Sequence, residues 1–269
     1  MQRVSETLDK LLTKVENAVS DLPTLPYVVE RVLEISSDPD SSMRDLESVV
    51  ASDPALSARI LRAANSGLYA IPQHITSITQ AAAILGFRII RSLCLSIPIL
   101  STLGHNWGPI DPKLFRRHSI AVGVAARFIS RKKRIYDTET AFTAGLLHDI
   151  GKIILSKTLP DRYKASLDMI ASGVECRKAE SSCMGQSHDM VGASILLRWN
   201  LPLELVTAIE QHHTPIANSL SEIIFEADTI SKSFGYVNCS FESCSGVSDK
   251  YDDLREIIRR AVEDEFSIL

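Results

Sequence analysis

His148 is followed directly by Asp149, and His212 by His213, with Asp228 on the next predicted helix. Imidazoles and carboxylates together suit one chemistry: they bind borderline or hard divalent metals such as Fe, Mn, Zn, Ni or Mg. Each group falls on a separate predicted helix, so a helix bundle can converge them on one point. Neighbouring residues of a helix project about 100° apart, as roughly 3.6 residues per turn require. His148 and Asp149 therefore do not share one direction: either both line a site between their helix and its neighbours, or they reach two metals. The same alternatives hold for His212 and His213. A metal-bound water, acidified to a pKa of about 7, would be a nucleophile for phosphate-ester hydrolysis. Lys152, one turn after His148, is placed to meet a substrate phosphate.

The elements that must position these groups read as helices. The chain has 269 residues, of which 45% are hydrophobic and 23% charged, values that exclude global disorder and allow one large domain or two modest ones. Aromatic content is only 6% while Leu, Ile, Val and Ala are plentiful, and no alternating strand pattern or fixed-period repeat emerges. Apolar spacing predicts helices over 4–20, 27–36, 43–51, 54–64, 77–85, 87–103 (bent near Pro98), 112–130, 137–149, 160–171, 190–199, 203–213, 220–232 and 251–262. Asp53-Pro54 is an N-cap followed by proline at the first helical position. Asn65-Ser66-Gly67 ends that helix, and Gly86 makes a corner. A linker-like stretch at 104–109 marks a soft boundary, and 234–250, rich in Gly, Ser, Asn and Cys, reads as a connecting loop.

Charge and cysteine usage bound the partners. A net charge of −4 and a pI near 6.0 argue against a broadly basic nucleic-acid binder. The basic run Arg131-Lys132-Lys133-Arg134 reads as a solvated helix end, where cations complement the helix dipole. Residues 1–7 lack the apolar core of a signal peptide. The most apolar stretch, 89–100, is interrupted by Arg91, Ser92, Ser96 and Pro98 and is too short to span a bilayer. Cys94, Cys176, Cys183, Cys239 and Cys244 contain no C-x-x-C pair and read as free thiols of a reducing cytosol, so the expected location is cytoplasmic with no membrane partner.

The wider pattern carries a resemblance. Gly145-Leu146-Leu147-His148-Asp149-Ile150-Gly151-Lys152, with His118 before it and Asp228 after it, resembles the HD superfamily of metal-dependent phosphohydrolases. Leu22-Pro23-x-Leu25-Pro26, the run from Asp53 to Ser66, and Ala81-x-x-x-Leu85-Gly86 are similar to the HDOD family. So are Gly185-x-x-His188-x-x-x-Gly192-Ala193-x-x-Leu196, Trp199-x-Leu201-Pro202 and Ala208-Ile209-x-x-His212-His213. The resemblance covers about residues 20 to 235 and implies an all-α helical bundle. In it an N-terminal lobe (22–105), preceded by a helix (1–21), packs on an HD-like lobe (106–235), followed by a loop and C-terminal helix (236–269). A superficially helix-turn-helix segment at 75–87 becomes a packing helix.

Residue by residue, His118, His148, Asp149 and Asp228 match the core HD ligand set, and His188, His212 and His213 match the extra positions of the related HD-GYP branch, which hydrolyses cyclic di-GMP. The resemblance thus implies one or two divalent ions. In a catalytic member, Asp149 and Lys152 would carry the chemistry. Two departures stand out. Thr214-Pro215-Ile216-Ala217 follows the double histidine where Gly-Tyr-Pro is expected, and Leu114 stands one turn before His118 where a glutamate can support a third metal. The family is mostly bacterial and regulatory. The expected role is therefore binding of a signalling protein partner, a nucleotide or a cyclic dinucleotide, with phosphodiester hydrolysis as the alternative and nucleic-acid binding a weaker third.

Overall fold

Apolar residues recurring at helical spacing find partners only if the helices stack, and among the described residues the computed structural model contains helices and no strands. It describes residues 2–22, 25–38, 40–65, 69, 71, 74–103, 106–238 and 251–265. His105 and the loop at 239–250, with Cys239 and Cys244, lie outside the described residues. In chain order the helices are α1 (Gln2–Ser20), α2 (Tyr27–Ser37), α3 (Met43–Ala51), α4 (Pro54–Ala64), α5 (Ile78–Leu85), α6 (Phe87–Thr102), α7 (Pro112–Lys133) and α8 (Thr138–Leu147). They continue with α9 (Ile150–Thr158), α10 (Pro160–Ala171), α11 (Cys176–Met184), α12 (His188–Arg198), α13 (Leu203–Glu210), α14 (Leu220–Ser233) and α15 (Asp252–Glu265).

Helices α2 to α6 pack on one another, and α6 lies against α8 of the following group. The local signals for this part are direct. The Asp53 carboxylate accepts from the Leu56 amide at 3.0 Å, with Pro54 at the first helical position. Ser42 and Asp45 form a capping box on α3. Gly86, at φ +83°, turns the chain between α5 and α6 in a conformation that glycine adopts freely. Ser92 Oγ bonds Thr143 Oγ1 at 2.8 Å, and Arg88 pairs with Asp137 at 2.7 Å, which ties α6 to α8 and its cap.

In the second group α8 is the central element, packed by α6, α7, α13 and α14, and its residues from Ala141 to Leu147 are all buried. It crosses α7 at a pair of glycines. A Cβ on Gly145 would lie 2.8 Å from the Val122 carbonyl oxygen and 2.9 Å from the Gly123 Cα. Only glycine allows this approach, and it sets His118 of α7 beside the end of α8. Helix α1 packs on α9, α11 and α12, and α15 packs on α7.

Several boundaries depart from the sequence reading. The helix expected over 137–149 stops at Leu147, and a separate helix, α9, begins at Ile150. The helix expected over 203–213 ends at Glu210, which leaves His212 and His213 in the turn beyond it. Helix α7 runs three residues further than expected, through Lys133, and Arg134 caps it in the left-handed region at φ 57°. The basic run is thus the exposed last turn of a helix, and Lys133 reaches Glu226 at 2.6 Å. Helix α6 continues through Pro98. No single helix among the described residues is long and apolar enough to cross a membrane. The pair Ile78–Leu85 and Phe87–Ser96 reaches that length only across a 119° bend. Cys94, Cys176 and Cys183 are free.

Candidate metal centre

The break between α8 and α9 makes the site. His148 still has helical backbone angles, whereas Asp149 sits at φ −99°, ψ 9°, in the sparsely populated bridge region. Two side chains that would diverge by about 100° on a continuous helix instead converge: His148 Nε2 lies 3.2 Å from Asp149 Oδ2. His118, buried on α7, brings its Nε2 within 3.2 Å of His148 Nε2 and 3.4 Å of Asp149 Oδ2. Asp228, on α14, sets Oδ1 3.3 Å from His118 Nε2 and 4.0 Å from His148 Nε2.

The second oxygen of Asp149 faces a second group. Oδ1 is 3.1 Å from His188 Nε2 and 4.0 Å from His212 Nε2. His188 opens α12, where its Nε2 lies 3.3 Å from His212 Nε2 and 2.9 Å from His213 Nε2. All seven sequence-identified histidine and aspartate side chains therefore gather in one place, with Asp149 in the middle. Six of them are buried and His213 is half-buried.

Hydrogen bonds to the far side of the rings fix which nitrogen faces inward. The Nδ1 atoms of His118, His148 and His212 donate to the backbone carbonyls of Tyr236 (2.9 Å), Gly145 (2.8 Å) and Ile209 (2.6 Å). His188 Nδ1 donates to Glu180 Oε2 at 2.6 Å, and the same carboxylate oxygen accepts from the His188 amide at 2.9 Å. In each neutral ring the proton is on Nδ1, so the inward Nε2 carries a lone pair. This outward anchoring is the arrangement that orients metal-binding histidines.

Charge follows the same logic. Burial alone would raise the Asp149 carboxyl, but His148 and Lys152, whose Nζ is 3.1 Å from Oδ2, hold it well below the usual carboxylate range. Burial likewise opposes ionisation of Asp228, and Lys232 at 2.9 Å with His118 overturns it. Burial, then the neighbouring His148 and His188, push His212 down to about 3. Burial and His212 also push His213 down. His188 is the exception: burial opposes its charge, yet Glu180 carries it well above the ordinary imidazole value.

These donors fit divalent ions. Inward lone pairs 2.9–3.3 Å apart repel unless a proton or a cation lies between them. A charged His188 supplies a proton for its own two contacts, and His118 and His148 are left with Nε2 atoms facing one another at 3.2 Å. Asp228 Oδ1 is buried with no hydrogen-bond partner among the described residues, as suits an atom reserved for a cation. Metal bonds of about 2.1 Å place neighbouring ligand atoms about 3.0–3.4 Å apart in octahedral or tetrahedral shells, which is the spacing seen here. Among the described residues, three groups have ligand atoms close enough to hold an ion, His118–His148–Asp149, His188–His212–His213 and Cys176–Glu180–His188; Asp228 adjoins the first, and Asp149 lies between the first and the second.

Three contributors escaped the sequence reading. Glu180 lies on α11, a helix with little apolar content, and only its proximity to Cys176 and His188 exposes it. Asn238, buried beyond α14, donates its side-chain amide to Asp149 Oδ2, and Tyr236 contributes its carbonyl. No spacing rule marked either. Leu114 is half-buried one turn before His118 and offers no ligand atom. Lys152 is buried against Asp149.

A family model for the HDOD domain matches residues 22–215. An uncharacterised protein of Treponema pallidum (strain Nichols) is 22% identical over 208 residues, which cover 76% of this chain and 40% of that protein's length. An HDOD domain protein of unknown function from Geobacter sulfurreducens superposes with a TM-score of 0.77 at 24% identity, over 95% of this chain and 89% of that one. A candidate phosphohydrolase from Shewanella amazonensis SB2B gives 0.74 at 22% identity, over 92% and 88%. At these identities the structural likeness establishes the all-helical fold.

Proposed function

The chain belongs to the HDOD domain family, and from that premise we propose that it is a cytoplasmic regulatory domain of bacterial signal transduction built on a two-ion divalent metal centre. The observation that carries this reading is the position of Asp149: one carboxylate oxygen faces His118 and His148, the other faces His188 and His212. Ions bound there would polarise a phosphoryl oxygen and acidify a bound water.

The chain's own residues favour binding over turnover. The ligand side chains are buried, the Asn238 amide rests on Asp149, and the Tyr236 carbonyl is tied to His118. The Lys152 ammonium is held at Asp149 and balances its charge, rather than extending toward an incoming phosphate. Thr214-Pro215 follows the double histidine, so the Gly-Tyr-Pro segment of the hydrolytic relatives is missing. The domain then acts by presenting a metal-stiffened surface to a signalling protein or a nucleotide. Free thiols at Cys94, Cys176 and Cys183 suit a reducing compartment.

The complete donor set supports a second reading, a metal-dependent phosphodiesterase. The two separate in an assay of the reconstituted protein with bis(p-nitrophenyl) phosphate and cyclic di-GMP in the presence of Mn or Fe. The regulatory reading predicts bound metal and no turnover. Turnover that disappears in Asp149→Ala would overturn it in favour of the enzyme.

A further inference from the structure

Away from the histidines, a cleft of about 470 Å³ opens between the N-terminal helices, α7 and α15. Its apolar wall is formed by Ile84 and Leu85 of α5, Ile89 of α6, Val124 and Phe128 of α7, and Ile257 of α15. Its volume is in the range of about 300–1,000 Å³ typical of small-molecule sites, which favour such junctions between packed units. Ile84 and Ile257 are exposed at its edges, so apolar surface stands open to water here.

The polar part of the lining is strongly one-sided. It holds three guanidinium groups, Arg127, Arg131 and Arg260, against one carboxylate, Glu139. Arg127 is fixed: it pairs with Glu139 at 2.6 Å and lies over the Phe142 ring at 4.0 Å and the Tyr69 ring at 5.2 Å. That pair forms a rigid, near-neutral floor. Arg131 is exposed and has no anionic partner among the described residues. Arg260 spends only its Nε on Glu256, at 2.8 Å, and its guanidinium is otherwise open. An apolar cleft with two available guanidinium groups at its rim is complementary to a molecule with an apolar body and an acidic end.

We propose that this cleft binds a small amphipathic anion, an aromatic or short acyl body carrying a single carboxylate, phosphate or sulfonate. The body lies against Ile84, Ile89, Val124 and Phe128, and the acid meets Arg131 and Arg260. The site is separate from the histidine cluster, and the proposal stands whether or not metal binds there. Helix α7 carries both Arg131 and His118, so an occupant of the cleft touches the helix that supplies one of the clustered histidines.

The test uses 8-anilinonaphthalene-1-sulfonate, an aromatic anion of suitable size, titrated by fluorescence into the full chain. The expected result is saturable binding at one site per chain. It should weaken by about tenfold or more in the double variant Arg131→Glu/Arg260→Glu and again in Ile84→Trp, which narrows the mouth. These positions are exposed, so the variants should keep the parent's circular dichroism and melting temperature. The uncharged N-phenyl-1-naphthylamine should bind about tenfold more weakly than the sulfonate. Three results would each overturn the proposal: no saturable binding, affinity unchanged in the folded variants, or equal binding of the uncharged dye, which would mark the cleft as bare apolar surface for a larger partner.

Discussion

Gly151 sits two residues after Asp149, where α9 meets the first turn of α12. A Cβ there would lie 2.0 Å from the His188 carbonyl oxygen, 2.7 Å from the Gly192 amide nitrogen and 2.9 Å from the His188 carbonyl carbon. All three are backbone atoms, so no side chain can rotate away. Restoring an ordinary contact near 3.4 Å requires α9 and α12 to part by more than 1 Å. Gly151→Ala gains about 0.5–1 kcal/mol from helix propensity. Overpacking against immovable backbone costs about 1–3 kcal/mol or more, so the steric term wins.

A Cβ only 2.0 Å from a carbonyl oxygen puts the cost at the upper end, about 3 kcal/mol, and less a gain of about 1 kcal/mol the net loss of about 2 kcal/mol corresponds, for a chain of this size, to a drop of roughly 4–8 °C in melting temperature. The displacement acts where it matters, because His188 opens α12 and its Nε2 is 3.1 Å from Asp149 Oδ1. Metal affinity should therefore fall together with stability. Gly192→Ala is the control: its Cβ would meet mainly the Ile209 Cγ2 methyl at 3.0 Å, a side chain that can yield, so its effect should be clearly smaller. Thermal melts by circular dichroism and a metal titration read both quantities. A Gly151→Ala protein that melts with the wild type and loads metal equally would refute the packing argument.

Glu180→Gln keeps the shape that holds His188 Nδ1 but removes the charge, and it should weaken metal binding about 10–100-fold in a chelator competition while leaving the fold intact. Asp53→Ala removes the acceptor for the Leu56 amide and should cost about 1 kcal/mol, read as a melting point lower by roughly 2–4 °C. Burial and its hydrogen bond to Glu226 raise the Tyr251 phenol to about 12 from 10.0. The folded state thus holds that proton more tightly than the unfolded chain, and the stabilisation is complete below pH 10.0 and lost as pH rises toward 12. Urea midpoints should accordingly fall between pH 9 and 11.5 by less in Tyr251→Phe than in the wild type.

Much of the architecture was legible because the outer helices are amphipathic and well capped. Asp53, followed by Pro54, caps the helix it announced. The break between α8 and α9 was not legible. Leu146 to Leu155 contains no proline, and every residue in it is buried, polar ones included, which erases the one-sided pattern that would mark separate helices. That break also settles the question of direction for His148 and Asp149, which adjacent positions on one helix could not. Helix α11 was missed for the opposite reason: its buried members are Ala179, Glu180 and Met184, too few apolar side chains to make a stripe. The seven histidine and aspartate positions were identifiable from residue type and motif order. The groups that orient them were not, since a backbone carbonyl at Tyr236 or an amide at Asn238 has no sequence signature.

On the proposed reading, Asp149 would supply one carboxylate oxygen to each of two ion-holding ligand groups. Elemental analysis of the full chain, reconstituted separately with Mn, Fe and Zn and freed of loose metal, tests it most directly beside Asp149→Ala. About two tightly held ions per chain are expected in the wild type and loss of both in the variant, because each ligand group would draw on that carboxylate. A wild-type chain that stays metal-free with all three ions, or a folded Asp149→Ala chain that loads to the same level, would contradict it.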